Sequence, residues 1–307
     1  MLKFLSFRLV SAVLTILFAL TIAFCLGHIS GNPVFNMLGP TAPKAQIHLL
    51  EHQLGLDKSF MQQYFSYLSN LLHGQLGNSI QFESSNVSMI STRLPNTLEL
   101  LALAMMIAIS VGGPLGIVAA LKRNSIWDRL ASGAALVGQS VPIFWLGIMV
   151  ILVFSVHLRL FPAGQKNGFS SFVLPALCLA LLPMAQIARL MRATISEVFE
   201  EPYIDAAKAR GLSTKRIVFG HALRNASLPV ITIISLQIGS LLSGAIAVEY
   251  VFGWPGVGTL AVNAIQFHDY TLIQAIVVIG VLGFVFINFC VDVLYGIIDP
   301  RIRDATK

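Results

Sequence analysis

Residues 98–121 read LELLALAMMIAISVGGPLGIVAAL, with one acid, Glu99, near the start and no charge afterwards. At about 1.5 Å rise per residue, a helix of this length crosses the roughly 30 Å hydrocarbon core of a bilayer. Backbone polar groups have no water to bond there, so the run reads as a helix. The same reading, applied outward, marks Leu9–Ile29, Ala134–Leu158, Phe172–Ala188, Leu228–Val248 and Thr271–Ile298. The expectation is an all-α membrane protein with six transmembrane helices. Composition agrees: of 307 residues 56% are hydrophobic and 11% charged, with mean hydropathy +0.78, against roughly 25% charged in soluble domains. A soluble enzyme is excluded. The first run follows Lys3 and Arg8 but has no small-x-small cleavage site close behind it, so it reads as an uncleaved helix. Cys25, Cys178 and Cys290 all fall in apolar runs and show no disulfide or metal spacing.

The net charge of +6 has a topological explanation. Sorted by alternate segments, 2 Lys and Arg precede the first run, 3 lie in 122–133, 7 in 189–227 and 3 at the end, against 5 on the opposite side. The positive-inside bias places both termini and 189–227 in the cytoplasm, with no call for nucleic acid. Outside lies 30–95, too long for a plain connection. Two amphipathic stretches near Ala45–Leu54 and Phe60–Leu72, separated by Leu54-Gly55-Leu56-Asp57, predict a small outer subdomain. Tyr64, Phe65 and Tyr67 are placed there at headgroup level or on a docking surface.

No nucleotide loop, zinc-protease helix, nucleophile elbow or Cys-x-x-Cys is present, so no catalytic or metal site is assigned. Six histidines (His28, His48, His52, His73, His157, His268) fall on the outer side, but only His48 and His52 have a spacing that shares a helix face. Of the acids near spans, Glu99 and Glu249 stand close enough to the ends to reach water, and Asp292 reads as a packing or cap contact. There is no chain of intramembrane carboxylates, which argues against a gradient-driven secondary transporter. In the fifth span Thr232, Ser235, Gly239 and Ser243 form one narrow stripe, which either packs helices closely or lines a wet path. Pro142, Pro175, Pro183 and Gly112-Gly113-Pro114 mark expected kinks.

Segment 189–227 holds the one long polar stretch on the inner side. Glu200-Glu201-Pro202 supplies a helix start, Tyr203 to Arg210 helical composition and Gly211 a stop. The centre, Asp205-Ala206-Ala207-Lys208-Ala209, has little bulk and lets a backbone approach another surface. Taken alone, the basic residues also suit a loop on anionic lipid. Ser213–Arg224 follows as a second basic stretch, and Pro229 is taken as the opening of span five.

These residues resemble the cytoplasmic loop of ABC importer permeases, with Asp205 in place of the usual Glu and Leu228-Pro229 falling farther beyond Gly211 than in the general motif. The run His221-Ala222-Leu223-Arg224-Asn225-Ala226 is similar to the dipeptide/oligopeptide/nickel subfamily. So are Leu54-Gly55-Leu56-Asp57, Arg93-Leu94-Pro95-Asn96-Thr97-Leu98-Glu99-Leu100, Glu249 through Gly258 and Asp299-Pro300-Arg301-Ile302-Arg303. Gly31-Asn32-Pro33 and Gly74-Gln75-Leu76-Gly77 depart from the subfamily at one residue each.

The resemblance implies a type I ABC importer permease: an N-terminal helix and outer loop over 1–93, a core over 94–300 with a coupling helix near 200–212, and a tail over 301–307. It implies a second homologous permease, two ATPase subunits holding ATP and Mg, and an extracytoplasmic binding protein, all at a bacterial inner membrane; this chain is no enzyme and carries no cofactor. Tyr203, Asp205, Ala206, Ala207 and Gly211 are implied to couple to the ATPases. Trp254, Pro255, Gly256 and Gly258 make a tight outer turn with a tryptophan at the interface, to which the resemblance adds an outer gate. The substrate class implied is dipeptides or oligopeptides, with nickel or a metal chelate as the alternative.

Overall fold

The computed structural model describes residues 2–29, 34, 43–122, 133 and 141–298. Among them the chain is helical, and the sole β pairing is an isolated bridge between Asn78 and Ser85. The helices are α1 (Leu2–Ile29), α2 (Lys44–Leu54), α3 (Phe60–Leu72), α4 (Asn86–Leu121), α5 (Ile143–Val150), α6 (Ser170–Phe199), α7 (Pro202–Ala209), α8 (Thr214–Ile217), α9 (Leu223–Val251), α10 (Val257–Gln266) and α11 (Tyr270–Ile298). A π-helical segment, Ile151–His157, continues α5, and another, Val218–Ala222, joins α8 to α9.

Among the described residues five helices are long and apolar enough to cross a membrane, in α1, α4, α6, α9 and α11. The third expected span is described only from residue 141, where Ile143–His157 forms a shorter apolar helix. Pro142 precedes that helix and does not kink it. Several expected boundaries move outward, α4 starting at Asn86 rather than Leu98, and two have a visible cause. Helix α6 runs on to Phe199 because Met191, Ile195 and Val198 keep an inward apolar face beyond Ala188. Pro229 lies inside α9 and does not open it, because the helical path is already continuous from Thr214. The backbone of Asp292 is helical, but its side chain lies outside the described residues, as do Gly31-Asn32-Pro33 and Asp299–Arg303.

The chain divides into two compact units: one takes the residues up to Pro95 with Thr259–Val293, the other Asn96–Gly258. In the second, Leu100, Ala104 and Ala108 of α4, Leu174, Leu179 and Ile187 of α6, and Leu241, Ala245 and Val248 of α9 form one buried core. Gly112 and Gly116 carry α4 against α6, where a Cβ would stand 2.6 Å from the Met184 carbonyl and 2.5 Å from the Ala188 carbonyl. Their role is close helix approach. The amides of Gln186 and Gln237 hydrogen-bond between α6 and α9, and Ser240 Oγ donates to Gln237 Oε1 at 2.9 Å. This satisfies a polar group buried in an apolar helix pair.

In the first unit, α2 ends at Gly55 (φ 68°), with Leu56 N bonding Glu51 O at 2.9 Å and Gly55 N bonding His52 O at 3.1 Å. This pairing caps the last carbonyls and needs a left-handed residue, hence glycine. Helix α3 packs on the end of α1. Tyr64 and Thr21 hydroxyls meet at 2.7 Å, and Phe24 lies 5.3 Å and 5.4 Å from the Tyr64 and Tyr67 rings. Tyr64 and Tyr67 therefore turn toward α1, and of the expected interfacial trio only Phe65 is exposed. Burial, helped by neighbouring Tyr64, pushes the Tyr67 phenol up to about 12, and its hydroxyl has no hydrogen-bond partner among the described residues. Asp269, buried at the start of α11, accepts from Ser79 Oγ, Gln81 N (3.2 Å) and Leu272 N (3.1 Å). Burial acts to raise its pKa, but these bonds and one from Thr271 outweigh it and hold the carboxyl below its ordinary value.

Candidate functional site

Helix α7 forms as its composition dictates. Glu201 is extended, Pro202 opens the helix, and Gly211 (φ 79°) closes it, with Leu212 N on Ala207 O at 3.2 Å and Gly211 N on Lys208 O at 2.9 Å. Two side chains hold it down. Ile204 and Ala207 are buried against Val198, Ile217 and Ala222, with Phe199 and Leu212 alongside. Tyr203, Asp205, Ala206, Ala209, Arg210 and Gly211 remain exposed. Ala207 thus faces the chain's own core, while Ala206 and Ala209 present the low-bulk surface. Lys208 pairs with Asp205 at 3.0 Å, and Asn225 Nδ2 donates to the Tyr203 hydroxyl at 2.7 Å.

The second feature is the turn after α9. Gly253 (φ 58°) ends the helix, with Trp254 N on Glu249 O at 2.8 Å. The chain then folds over the Glu249 side chain, which is fully buried. Glu249 Oε1 accepts from Thr97 Oγ1 at 2.6 Å and Oε2 from Gly258 N at 2.6 Å, while Thr97 Oγ1 accepts Val257 N at 2.9 Å. Val257 and Gly258 are the first residues of α10, so a threonine far away in sequence and an acid at the end of the preceding helix satisfy its free N–H groups. A helix N-terminus needs acceptors for its free N–H groups, and these hydrogen bonds compensate the burial of this acid. A Cβ on Gly256 would overlap the Glu249 carboxylate, and one on Gly258 would stand 2.6 Å from Ile246 Cα.

Around this centre Trp254 Nε1 donates to Asn96 O at 3.1 Å, and Asn96 Nδ2 to Pro255 O at 2.8 Å. The Trp254 ring is fully buried and edge-on to Phe172 at 4.5 Å. Two expectations are corrected: Trp254 is not an interfacial tryptophan, and Glu249 does not reach water. Glu99 is half exposed and pairs with Lys166 at 2.5 Å, whose ammonium also reaches Asn96 Oδ1 at 2.8 Å. Gln165 N bonds Phe252 O at 2.9 Å, and Gly164 lies so close to Phe252 O that a Cβ would overlap it. Sequence reading missed Asn96, Thr97 and Lys166 as partners. The motif holding Asn96 and Thr97 was visible, but nothing local joins it to a turn 160 positions on or to Lys166, 70 positions from Asn96.

On α9, Thr232 and Ser243 are exposed and Ser235 and Gly239 half-buried, while the packed face carries Gln237, Leu241 and Ala245. Within this chain the stripe is therefore not the packing face. His48 and His52 lie near Glu51 (3.3 Å) and Asp57 (3.9 Å) on open surface. Among the described residues no three His, Cys, Asp or Glu side chains converge on one point.

Residues 112–304 match the family described as the inner membrane component of binding-protein-dependent transport systems, and residues 1–101 match the N-terminal part of such components. The chain belongs to this family. Over 99% of both chains, this inner membrane component is 39% identical to the dipeptide transport system permease protein DppB of Escherichia coli K12. It is 39% identical, again over 99% of both, to the di/tripeptide permease DppB of Pseudomonas aeruginosa. The glutathione transport system permease protein GsiC of E. coli K12 shares 38%, at the same coverage. In fold it is similar to a chain of the inward-facing MetNI methionine ABC transporter, with TM-score 0.59 at 18% identity over 69% of this chain and 97% of that one. The fold is that of a type I ABC importer permease, and the chain is a transport subunit.

Proposed function

We propose that this chain is the transmembrane permease subunit of an ATP-driven importer of dipeptides and oligopeptides, passing substrate from an extracytoplasmic binding protein into the cytoplasm by alternating access. The single observation that carries the reading is α7: a short helix capped at both ends, held by Ile204 and Ala207, offering Ala206, Ala209 and Gly211 outward. Such a surface admits close backbone approach by a partner. The names of its 38–39% identical relatives supply the substrate class. The charge bias puts α7 and both termini in the cytoplasm.

In this reading a second, similar permease and two ATPases complete the complex, and ATP and Mg are held by the ATPases. Closure of the ATPases displaces α7 and shifts the balance between outward- and inward-open states, a coupling free energy between two sites. The open face of α9 bearing Thr232, Ser235, Gly239 and Ser243 lines the path, and the turn from Trp254 to Gly258 stands at its outer end.

The test is co-expression with the neighbouring transporter genes, purification through a tag on this chain, and an ATPase assay with binding protein and either dipeptides or nickel chelates. Copurifying hydrolysis stimulated by dipeptides is expected. Stimulation by nickel chelates alone would replace the substrate class, and absence of any ATPase partner would refute the coupling role. Ala206→Leu is expected to release the ATPases while leaving the chain folded. Ala207→Leu instead disturbs the buried seat of α7 and lowers thermal stability.

A further inference from the structure

Helix α7 is seated by Ile204 and Ala207 on the end of α6 and on Ile217 and Ala222, residues at the two ends of the π-helical segment. That segment, Val218–Ala222, separates α7 and α8 from α9. π-Helical turns interrupt the α-helical ladder and are among the places where helices bend. A displacement of α7 delivered through Ile217 is therefore partly absorbed there before reaching α9, and Ala222 adds only an apolar contact at the far end. A hydrogen bond bypasses it: Asn225, in the first turn of α9 beyond the π segment, donates to the Tyr203 hydroxyl at 2.7 Å. Both side chains are exposed, so neither is needed to fill the core.

We propose that the Tyr203–Asn225 hydrogen bond is a strut that carries displacement of α7 directly to α9, across the π-helical segment. Tyr203 and Asn225 are positioning residues; neither touches substrate. The proposal rests on the coupling reading of α7. An exposed hydrogen bond biases a two-state balance only modestly, so its loss weakens coupling by about five-fold and does not abolish it.

The experiment uses the whole transporter in proteoliposomes, with binding protein and a labelled alanine dipeptide. Tyr203→Phe, Asn225→Ala and the double variant are compared by dipeptide accumulated per ATP hydrolysed, by ATPase copurification and by melting temperature. Tyr203→Phe and Asn225→Ala are each expected to lower the ratio about five-fold. Asn225→Ala keeps ATPase copurification and melting temperature at wild-type values, and the double variant falls no further than either single one. An unchanged ratio, independent additive losses, or loss of ATPase from Tyr203→Phe overturns the strut; the last would make Tyr203 a docking side chain. Failure of the wild-type complex to couple dipeptide uptake to ATP removes the reading of α7 itself. A coupled wild type with unaffected variants removes the strut alone.

Discussion

Glu249→Ala takes the acceptor out of the buried turn. Thr97 Oγ1 and Gly258 N then lose their partner, at ~1–3 kcal/mol for each buried donor, and the emptied volume adds about 1 kcal/mol or more. The expected loss is about 3–6 kcal/mol. Glu249→Gln is milder at ~1–2 kcal/mol, since the amide oxygen keeps Gly258 N and its NH2 donates to Thr97 Oγ1, leaving only the threonine proton to find a new acceptor. Gly256→Ala perturbs the same centre from the opposite side. Its Cβ falls on a carboxylate already fixed by two hydrogen bonds, so ~1–3 kcal/mol or more of overpacking is expected. Gly253→Ala is the control: φ is 58° with nothing within 4 Å of the new Cβ, leaving only a left-handed cost of ~1–2 kcal/mol. Unfolding from detergent is commonly irreversible, so the assay is the rank order of apparent melting temperatures at one heating rate. At roughly 2–4 °C per kcal/mol, Glu249→Ala falls by about 6–24 °C and Gly253→Ala by a few degrees. Glu249→Ala within about 3 °C of wild type, or Gly256→Ala melting no lower than Gly253→Ala, would refute the claim that the turn is folded around this carboxylate.

Two neighbouring glycines of α4 give opposite signs in the same melting assay on the isolated subunit. Gly116→Ala meets the Ala188 carbonyl at 2.5 Å and destabilises, by ~1–3 kcal/mol. Gly113→Ala meets nothing within 4 Å and stabilises by about 0.5–1 kcal/mol. Tyr67→Phe removes a buried hydroxyl with no hydrogen-bond partner among the described residues and leaves melting unchanged or raised, whereas Tyr64→Phe breaks the bond to Thr21 and costs ~1 kcal/mol. Asp269 has a carboxyl held below its unfolded value, so its contribution is full above the ordinary carboxylate pKa, about 4, and is lost as pH falls through the folded value. The melting gap between wild type and Asp269→Asn is accordingly widest near neutral pH and narrows below pH about 4.

Much of this was legible in the sequence because local rules carried it. Uncharged runs gave the long helices, Gly55 the break between α2 and α3, and Pro202 and Gly211 both ends of α7. What failed was direction. Ala206 and Ala207 are equivalent by composition, and only the position of Val198, Ile217 and Ala222 decides that Ala207 turns inward. The spacing of Thr232 to Ser243 puts them on one face, but which face of α9 packs against α6 is settled by Gln237, Leu241 and Ala245. Periodicity fixes which residues share a side, not which side is covered.

The misreading of Glu249 has a more specific cause. With residues 249–270 read as a connection, an acid just past a span has only water as a partner, and reaching out to it is the cheap solution. The segment instead contains a helix, Val257–Gln266. Its first N–H groups must be satisfied in a place closed to water, and Glu249 with Thr97 satisfies Val257 and Gly258. The first unit repeats the arrangement: His268 adopts a left-handed φ of 54° at the end of α10, and Asp269 turns back onto Leu272 N at the start of α11. In both places the buried acid follows from a helix start that has nowhere else to find an acceptor. The warning that an acid is not bound for water is therefore an unrecognised helix just beyond it, and finding the helix first would have reversed the reading of Glu249 without any knowledge of its tertiary partners.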